Sequence, residues 1–424
     1  MYQSIANRAI RRFVTAILCL FLGAENIFAA ELTIKEAGQL AINNDYTLQA
    51  ISARSLSMSE LSIAAERLPD PKLKLGFANL PTDTFNLGQE PMTQAVIGVQ
   101  QMFPRGHTRS LNSARINESV ARNDAEAEDR QEQILLAVRE AYIRIYLHRE
   151  RQNILEQSLD VFTDLAEITR DYYSNGRALQ QDVVQAQLEL SKVTERLALI
   201  RQQQEEARAR LAERIGADAY RDLDSQWPQL IQPPPARQII AGLAEHPRLR
   251  AWQHEIAKSK TSEELARQAY KPGFAVELAY GGRSGQNTNG TDRSDLLTVM
   301  MTMDIPLFTK NRQDRVLAAS IADTSATEYV RDDVYRSMKA RVEEYATTLA
   351  SEQERLGFYQ DLLLPQAAFN AETAFEDYQD AVGDLTTLMR ARIGEYELKL
   401  NHAALRADEI ITRARLLYFK GETT

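Results

Sequence analysis

Residues Tyr46–Pro71, YTLQAISARSLSMSELSIAAERLPDP, return at Pro247–Pro272 as PRLRAWQHEIAKSKTSEELARQAYKP, at a constant offset of 201. Leu48 aligns with Leu249, Ala50 with Ala251, Ala65 with Ala266 and Pro71 with Pro272. Further along, Phe103–Pro104 aligns with Ile305–Pro306 at offset 202, and Val138 and Glu140 with Val342 and Glu344 at offset 204. Tyr173–Gln187 aligns with Tyr378–Arg392 at offset 205. Small insertions in connections account for the drift. Four blocks in one order predict a tandem duplication, so the fold must be built twice.

Between the copies lies the polar, Pro-rich stretch Gly216–Gln238, which reads as a junction. The predicted organisation is a first repeat over 30–215, a linker over 216–238 and a second repeat over 239–424. Each repeat reads as helix, strand pair, very long helix, sharp turn and long helix. His107–Asn175 contains no Gly or Pro, which predicts a helical rod of roughly 100 Å at 1.5 Å per residue. Long helices are expected over 107–175, 177–215, 307–382 and 384–420. Gly357, Pro365 and Gly394 should bend or locally unwind the second pair.

The first rod carries two apolar seams. Leu155, Leu159, Phe162 and Ala166 share one direction; Ile154, Val161, Leu165 and Ile168 share another, about 110° away at 100° per residue. A two-stranded coiled coil needs one seam. Two suit a stave with neighbours on both sides, although an ordinary helical bundle also has wide apolar faces.

Four stretches alternate with period two: about 73–79, 94–103, 273–282 and 296–305. In the third, Phe274, Val276, Leu278 and Tyr280 oppose Ala275, Glu277 and Ala279. In the fourth, Leu297, Val299, Met301, Met303 and Ile305 oppose Thr298, Thr302 and Asp304. Strands of about 9–11 residues with apolar-out, polar-in alternation suit an outer-membrane barrel, whereas soluble strands average nearer five or six. The connections Leu80–Thr93 and Arg283–Asp295 exceed what hairpins need, as extracellular loops do. Four strands cannot close a barrel, and an open edge in lipid is not tolerated. The chain is therefore expected to share its barrel with copies of itself.

The N-terminus reads as an export signal over 1–29. Arg8, Arg11 and Arg12 precede an apolar core, Phe13–Ala24, and Ile27–Ala29 is a candidate cleavage site. Cleavage would remove three Arg and Glu25, taking the net charge from −9 to −11. Such an acidic chain is a poor nucleic-acid binder. The only cysteine, Cys19, lies in this signal, and Leu18 stands where a lipoprotein signal wants a small residue. No disulfide, cofactor or resident metal is expected.

No HExxH pairing occurs among the five histidines, and GxSxG, P-loop and GxGxxG motifs are absent. Met300, Met301 and Met303 suggest a soft-metal site, but alternation puts Met300 opposite the other two, as in a barrel wall. An enzyme is not expected.

On these residues the chain resembles the TolC family of outer-membrane efflux proteins over essentially its whole mature length. The resemblance is carried by LTIKEAGQLAINNDYTLQA and its echo EHPRLRAWQHEIAKSKTSEELARQAYKP, by FPRG and IPLF, and by the turns YYSNGRALQQDVVQAQLEL and LLLPQAAFNAETAFEDYQDAVGDLTTLMRAR. It implies a mainly α fold with a transmembrane β part: a coiled-coil α-helical barrel below a twelve-stranded β-barrel, shared by a homotrimer. It further implies a passive duct in outer-membrane lipid, reaching into the periplasm of a Gram-negative cell. The partners would be a periplasmic adaptor and an inner-membrane pump of the resistance-nodulation-division type.

Gly176, Leu179 and Asp182 match the family's first tip motif. By that resemblance Gly176 and Leu179 would contact the adaptor and Asp182 would help form the channel constriction. At the second tip Asp384 and Leu385 match, Ala381 replaces the expected Gly and Thr387 replaces the acidic residue. Ala381, Asp384 and Leu385 would contact the adaptor, and the constriction would hold three carboxylates per trimer. The alternative reading of Asp182 is a charge favoured by the dipole at a helix start. The segments PDPKLKLGFANLP, EPMTQ and QMFPRG resemble the heavy-metal branch, implying heavy-metal cations as cargo. Drug, dye or type I protein export remains open, as does a periplasmic coiled-coil scaffold or adaptor. A general porin lacks such long helices.

Overall fold

A computed structural model describes residues 31–224, 226–380 and 382–421. The export signal, Cys19 and Ala381 lie outside the described residues. The chain forms two compact units, each assembled from both repeats. One, the helical unit, comprises the chain up to Asp45, Glu132–Pro234 and Glu344–Tyr418; the other, the sheet unit, comprises Tyr46–Gln131, Pro235–Glu343 and the chain from Phe419.

In the sheet unit, helix α2 (Tyr46–Ala65) leads into strands β1 (Lys72–Ala78) and β2 (Gln94–Phe103), after α1 (Ile34–Asn44) in the helical unit. Helix α3 (Thr108–Ser174) follows and contributes to both units, and α4 (Gln180–Ile215) runs after a sharp turn. The second copy repeats the pattern after a short α5 (Ala236–Gly242): α6 (Pro247–Gln268), β3 (Gly273–Gly282), β4 (Leu296–Asp304) and α7 (Gln313–Phe358). A π-helical turn at Tyr359–Leu363 then joins α8 (Leu364–Gln379), and α9 (Leu385–Lys420) completes the second half.

The four strands make one antiparallel sheet in the order β1-β2-β3-β4. Its centre joins the two repeats: Val99 pairs with Leu278 and Ile97 with Tyr280. Gly98 stands opposite Ala279, where an added Cβ would come within 2.9 Å of the Ala279 Cβ. A glycine therefore lets the two duplicated hairpins approach at this point.

The helical unit buries both expected seams. Leu155 and Phe162 are fully buried, as are Leu165 and Ile154 to within a tenth. Leu159, Ala166 and Ile168 pack against the same core, which α4, α8 and α9 complete. Val161 departs from the pattern and stays 36 % exposed. A second core lies under α1 and the segment after α4, where Tyr142, Tyr146, Leu211 and Leu223 meet. There Leu32 bridges Leu223, the Tyr142 hydroxyl donates to the Leu32 carbonyl and Arg221 pairs with Glu36 at 2.7 Å. That guanidinium holds the Glu36 carboxyl below its usual range.

The π-turn between Gly357 and Pro365 is the expected local unwinding, whereas at Gly394 expectation and structure differ. Gly394 lies inside the unbroken helix α9; a single helical glycine costs only about 1 kcal/mol, and Leu388, Met389, Ala391 and Tyr396 anchor both sides of it in the core. Pro365 sits in the first turn of α8, directly after the π-turn. The wider turn absorbs the proline's missing N–H and ring without ending the helical path.

Candidate functional site

The sheet has two unlike faces. Across all four strands Leu73, Val99, Leu278 and Val299 form one outward row, and Leu75, Ile97, Tyr280 and Leu297 the next. All eight side chains are exposed. Phe103 stacks on Phe274 at 5.0 Å between centroids, with exposed Met303 beside Phe274. Exposed Phe77 and Tyr280 mark the other end. Aromatics flanking an apolar band are the pattern of a sheet wall that meets lipid, with rings at each interface. This girdle was legible in the sequence as same-parity aromatics at strand ends, yet alternation by itself does not single it out.

The opposite face carries Lys72, Gln100, Glu277 and Met300 in one row and Lys74, Gly98, Ala279 and Thr298 in the next. Lys74 Nζ donates to Glu277 at 2.5 Å. Met300 thus shares the polar face while Met301 and Met303 share the apolar one. No three His, Cys, Asp or Glu converge on a metal-sized site among the described residues. No described helix is long and apolar enough to cross a membrane.

Beyond the strands, the two long connections are laced together. Arg293 donates to the carbonyls of Gly88 and Glu90 at 3.1 and 2.9 Å, and Arg283 to that of Pro91 at 3.2 Å. Nothing in the sequence signalled this lacing, because each arginine reaches across repeats. Among the described residues the outer edges of β1 and β4 have no strand partner, so a lipid-facing sheet ends in two open ladders.

The helical unit carries the two tips. At the first, Gly176 adopts φ +69°, a conformation that glycine takes without a Cβ penalty. Arg177 N–H closes back on the Tyr172 carbonyl at 2.7 Å. The Asp182 carboxylate accepts the Leu179 N–H at 2.9 Å, satisfying one orphan donor of α4. Leu179 itself is 67 % exposed. Asp182 lies close enough to Tyr378 that, after burial, its charge helps push the phenol up. Tyr378 also contacts Thr169 and the Tyr172 ring, and Arg177 covers Tyr172 at 4.6 Å.

At the second tip, Asp384 accepts the Thr387 N–H at 2.9 Å and its hydroxyl at 3.0 Å. These donors hold the Asp384 carboxyl below the usual range. Thr387, standing where an acid occurs at the first tip, is therefore the donor to a cap one turn earlier. Leu385 is buried and belongs to the core; exposed Val382 is the apolar side chain this turn presents.

The chain matches the family model described as outer membrane efflux protein over residues 39–217 and 241–421. Among solved structures it is similar to the outer-membrane channel OprN (15 % identity, TM-score 0.78, 92 % of this chain and 89 % of that one). The channel-forming CusC matches at 14 % identity and TM-score 0.77, with 92 % of both chains covered. The outer membrane protein VceC of Vibrio cholerae matches at 14 % and 0.77, covering 92 % of this chain and 96 % of that one. No curated protein sequence matches the chain.

Proposed function

The chain belongs to the outer membrane efflux protein family, a family of outer-membrane channels rather than enzymes, and from that premise we propose that three copies complete one duct. The observation that carries the reading is the pair of unpartnered edges on a sheet whose outward rows are apolar. Unpaired backbone groups in hydrocarbon cost several kcal/mol each, so the ladders must close on sister subunits. Three four-stranded sheets give twelve strands, an even number in the range of outer-membrane barrels. The polar inward rows would line the lumen, and outer-membrane lipid would meet the other face. The helical unit would supply the staves of a periplasmic tunnel. A detergent-solubilised particle of three chains that resists carbonate extraction is the expected result. A monomer, or release by carbonate as from a soluble scaffold, would overturn the reading.

In the same proposal the two tips meet a periplasmic adaptor, which couples the duct to an inner-membrane pump of the resistance-nodulation-division type. Gly176 shapes the first turn, and exposed Leu179 and Val382 offer apolar contacts. Asp182 serves the constriction. Its carboxylate already caps its own helix, so Asp182→Ala should cost about 1 kcal/mol of local stability and raise ion leak through resting trimers in planar bilayers. Leak equal to the parent's would remove Asp182 from the gate.

Heavy-metal cations are the proposed cargo, on the resemblance of PDPKLKLGFANLP, EPMTQ and QMFPRG to the metal branch. A strain lacking this chain should then lose tolerance to copper, zinc or cadmium salts while keeping its tolerance to dyes and drugs. The reverse pattern would assign a drug or dye duct instead.

A further inference from the structure

Helices α3 and α4 form a solvent-open pocket of about 300 Å³ whose lining is strongly basic. Arg144, His148 and Arg151 reach it from α3, and Gln203, Glu206 and Arg210 from α4. The spacing of four and three residues places the first three side chains on one helix face. That face is turned away from Tyr142 and Tyr146, whose hydroxyls donate to the carbonyls of Leu32 and Asp224 in the core beneath α1. Three guanidiniums thus confront one lining carboxylate, Glu206, which accepts a hydrogen bond from Gln202 at 2.9 Å. Asp408 acts on Arg151 from α9, and Arg196 acts on it from α4, itself paired with Glu397.

Arg144, Arg151 and Arg210 make no hydrogen bond or close ion pair among the described residues, although Asp408 attracts Arg151. Arg151 Nε and His148 Nδ1 are buried and unpartnered. Buried polar groups are normally satisfied, so these two buried nitrogens, with the exposed Arg144 and Arg210 guanidiniums at the rim, leave a place for a ligand. Burial, and then Arg151, Arg144 and Arg210, hold His148 down to about 4. The imidazole is therefore neutral at physiological pH, and the guanidiniums supply the charge.

We propose that this pocket binds a small, multiply charged oxyanion of the phosphate or carboxylate class. Guanidiniums match such groups through forked, charge-assisted hydrogen bonds, and the volume is at the small-ligand end of binding cavities. The same pocket repels a bare divalent cation, so its occupant is distinct from a metal cargo.

The test is calorimetric titration of inorganic pyrophosphate into the detergent-purified full chain. Saturable binding that weakens between 50 and 200 mM salt, on the order of the Debye screening that separates these conditions, is expected. Arg151→Gln and Arg210→Gln should each weaken it about tenfold or more, while Glu206→Gln should tighten it. That opposite sign is one that a merely structural role would not produce. Absence of binding in the parent, or equal binding in all three variants, overturns the proposal. If the parent ignores pyrophosphate and the arginine variants lose the oligomer, the guanidiniums serve carboxylates of a sister copy, which also overturns it. Binding is read on purified protein whether or not it conducts, so the carbonate and particle-mass result judges the duct separately.

Discussion

Leu278→Arg is expected to abolish assembly of the chain in the outer membrane. Leu278 sits at the middle of β3, 53 % exposed in the single chain, between Val99 of β2 and Val299 of β4. An arginine on the lipid face near the bilayer midplane costs about 2–4 kcal/mol in a barrel wall. Three copies in one barrel would multiply this to roughly 6–12 kcal/mol, comparable with the entire 5–15 kcal/mol stability of an ordinary fold. Thr298→Arg is the control. Thr298 pairs with Ala279 on the polar face, where a charge meets water and Lys74 and Glu277 already stand. Heat-modifiable oligomer in purified outer membranes should vanish for Leu278→Arg and persist for Thr298→Arg. Equal oligomer yields in both would show that the outward rows do not meet lipid.

Phe162→Ala is expected to destabilise the helical unit by about 3–5 kcal/mol, the usual cost of emptying a buried phenylalanine site. Phe162 is fully buried and meets Tyr396 of α9 edge-on, with centroids 6.1 Å apart. Removing the ring leaves a cavity between two long helices that cannot close over it without shifting every neighbour along the seam. Val161→Ala, one residue away but 36 % exposed, should cost under about 1 kcal/mol. Scanning calorimetry and limited proteolysis of the purified oligomer compare the two. Matching losses would mean that Phe162 is not the core residue its burial indicates.

These contrasts mark where sequence reasoning reached and where it stopped. The face of Leu278 follows from period two and the burial of Phe162 from a 100° wheel, since both depend only on near neighbours in the chain. Val161 lay on an equally good seam, yet it stays 36 % exposed, because burial depends on which helix arrives beside it. At the tips, Gly176 was legible as a turn glycine, whereas the caps made by Asp182 and Asp384 appear only with backbone geometry. Leu385 matched an expected contact motif but packs into the core, while Val382 beside it stays exposed. The clustering of Arg144, Arg151 and Arg210 left no trace in a linear reading, since it needs α3 and α4 in register.

The sequence alone determined the repeated plan, the long helices and the polarity of each strand. Those follow from duplication, from the absence of breakers and from side-chain periodicity, all of which act over a few residues. Tertiary structure decided that β2 of one repeat pairs with β3 of the other and that four cationic or imidazole side chains share one pocket. Such outcomes depend on where the backbone carries segments far apart in the chain, and free energy gained across that distance has no local signature to read.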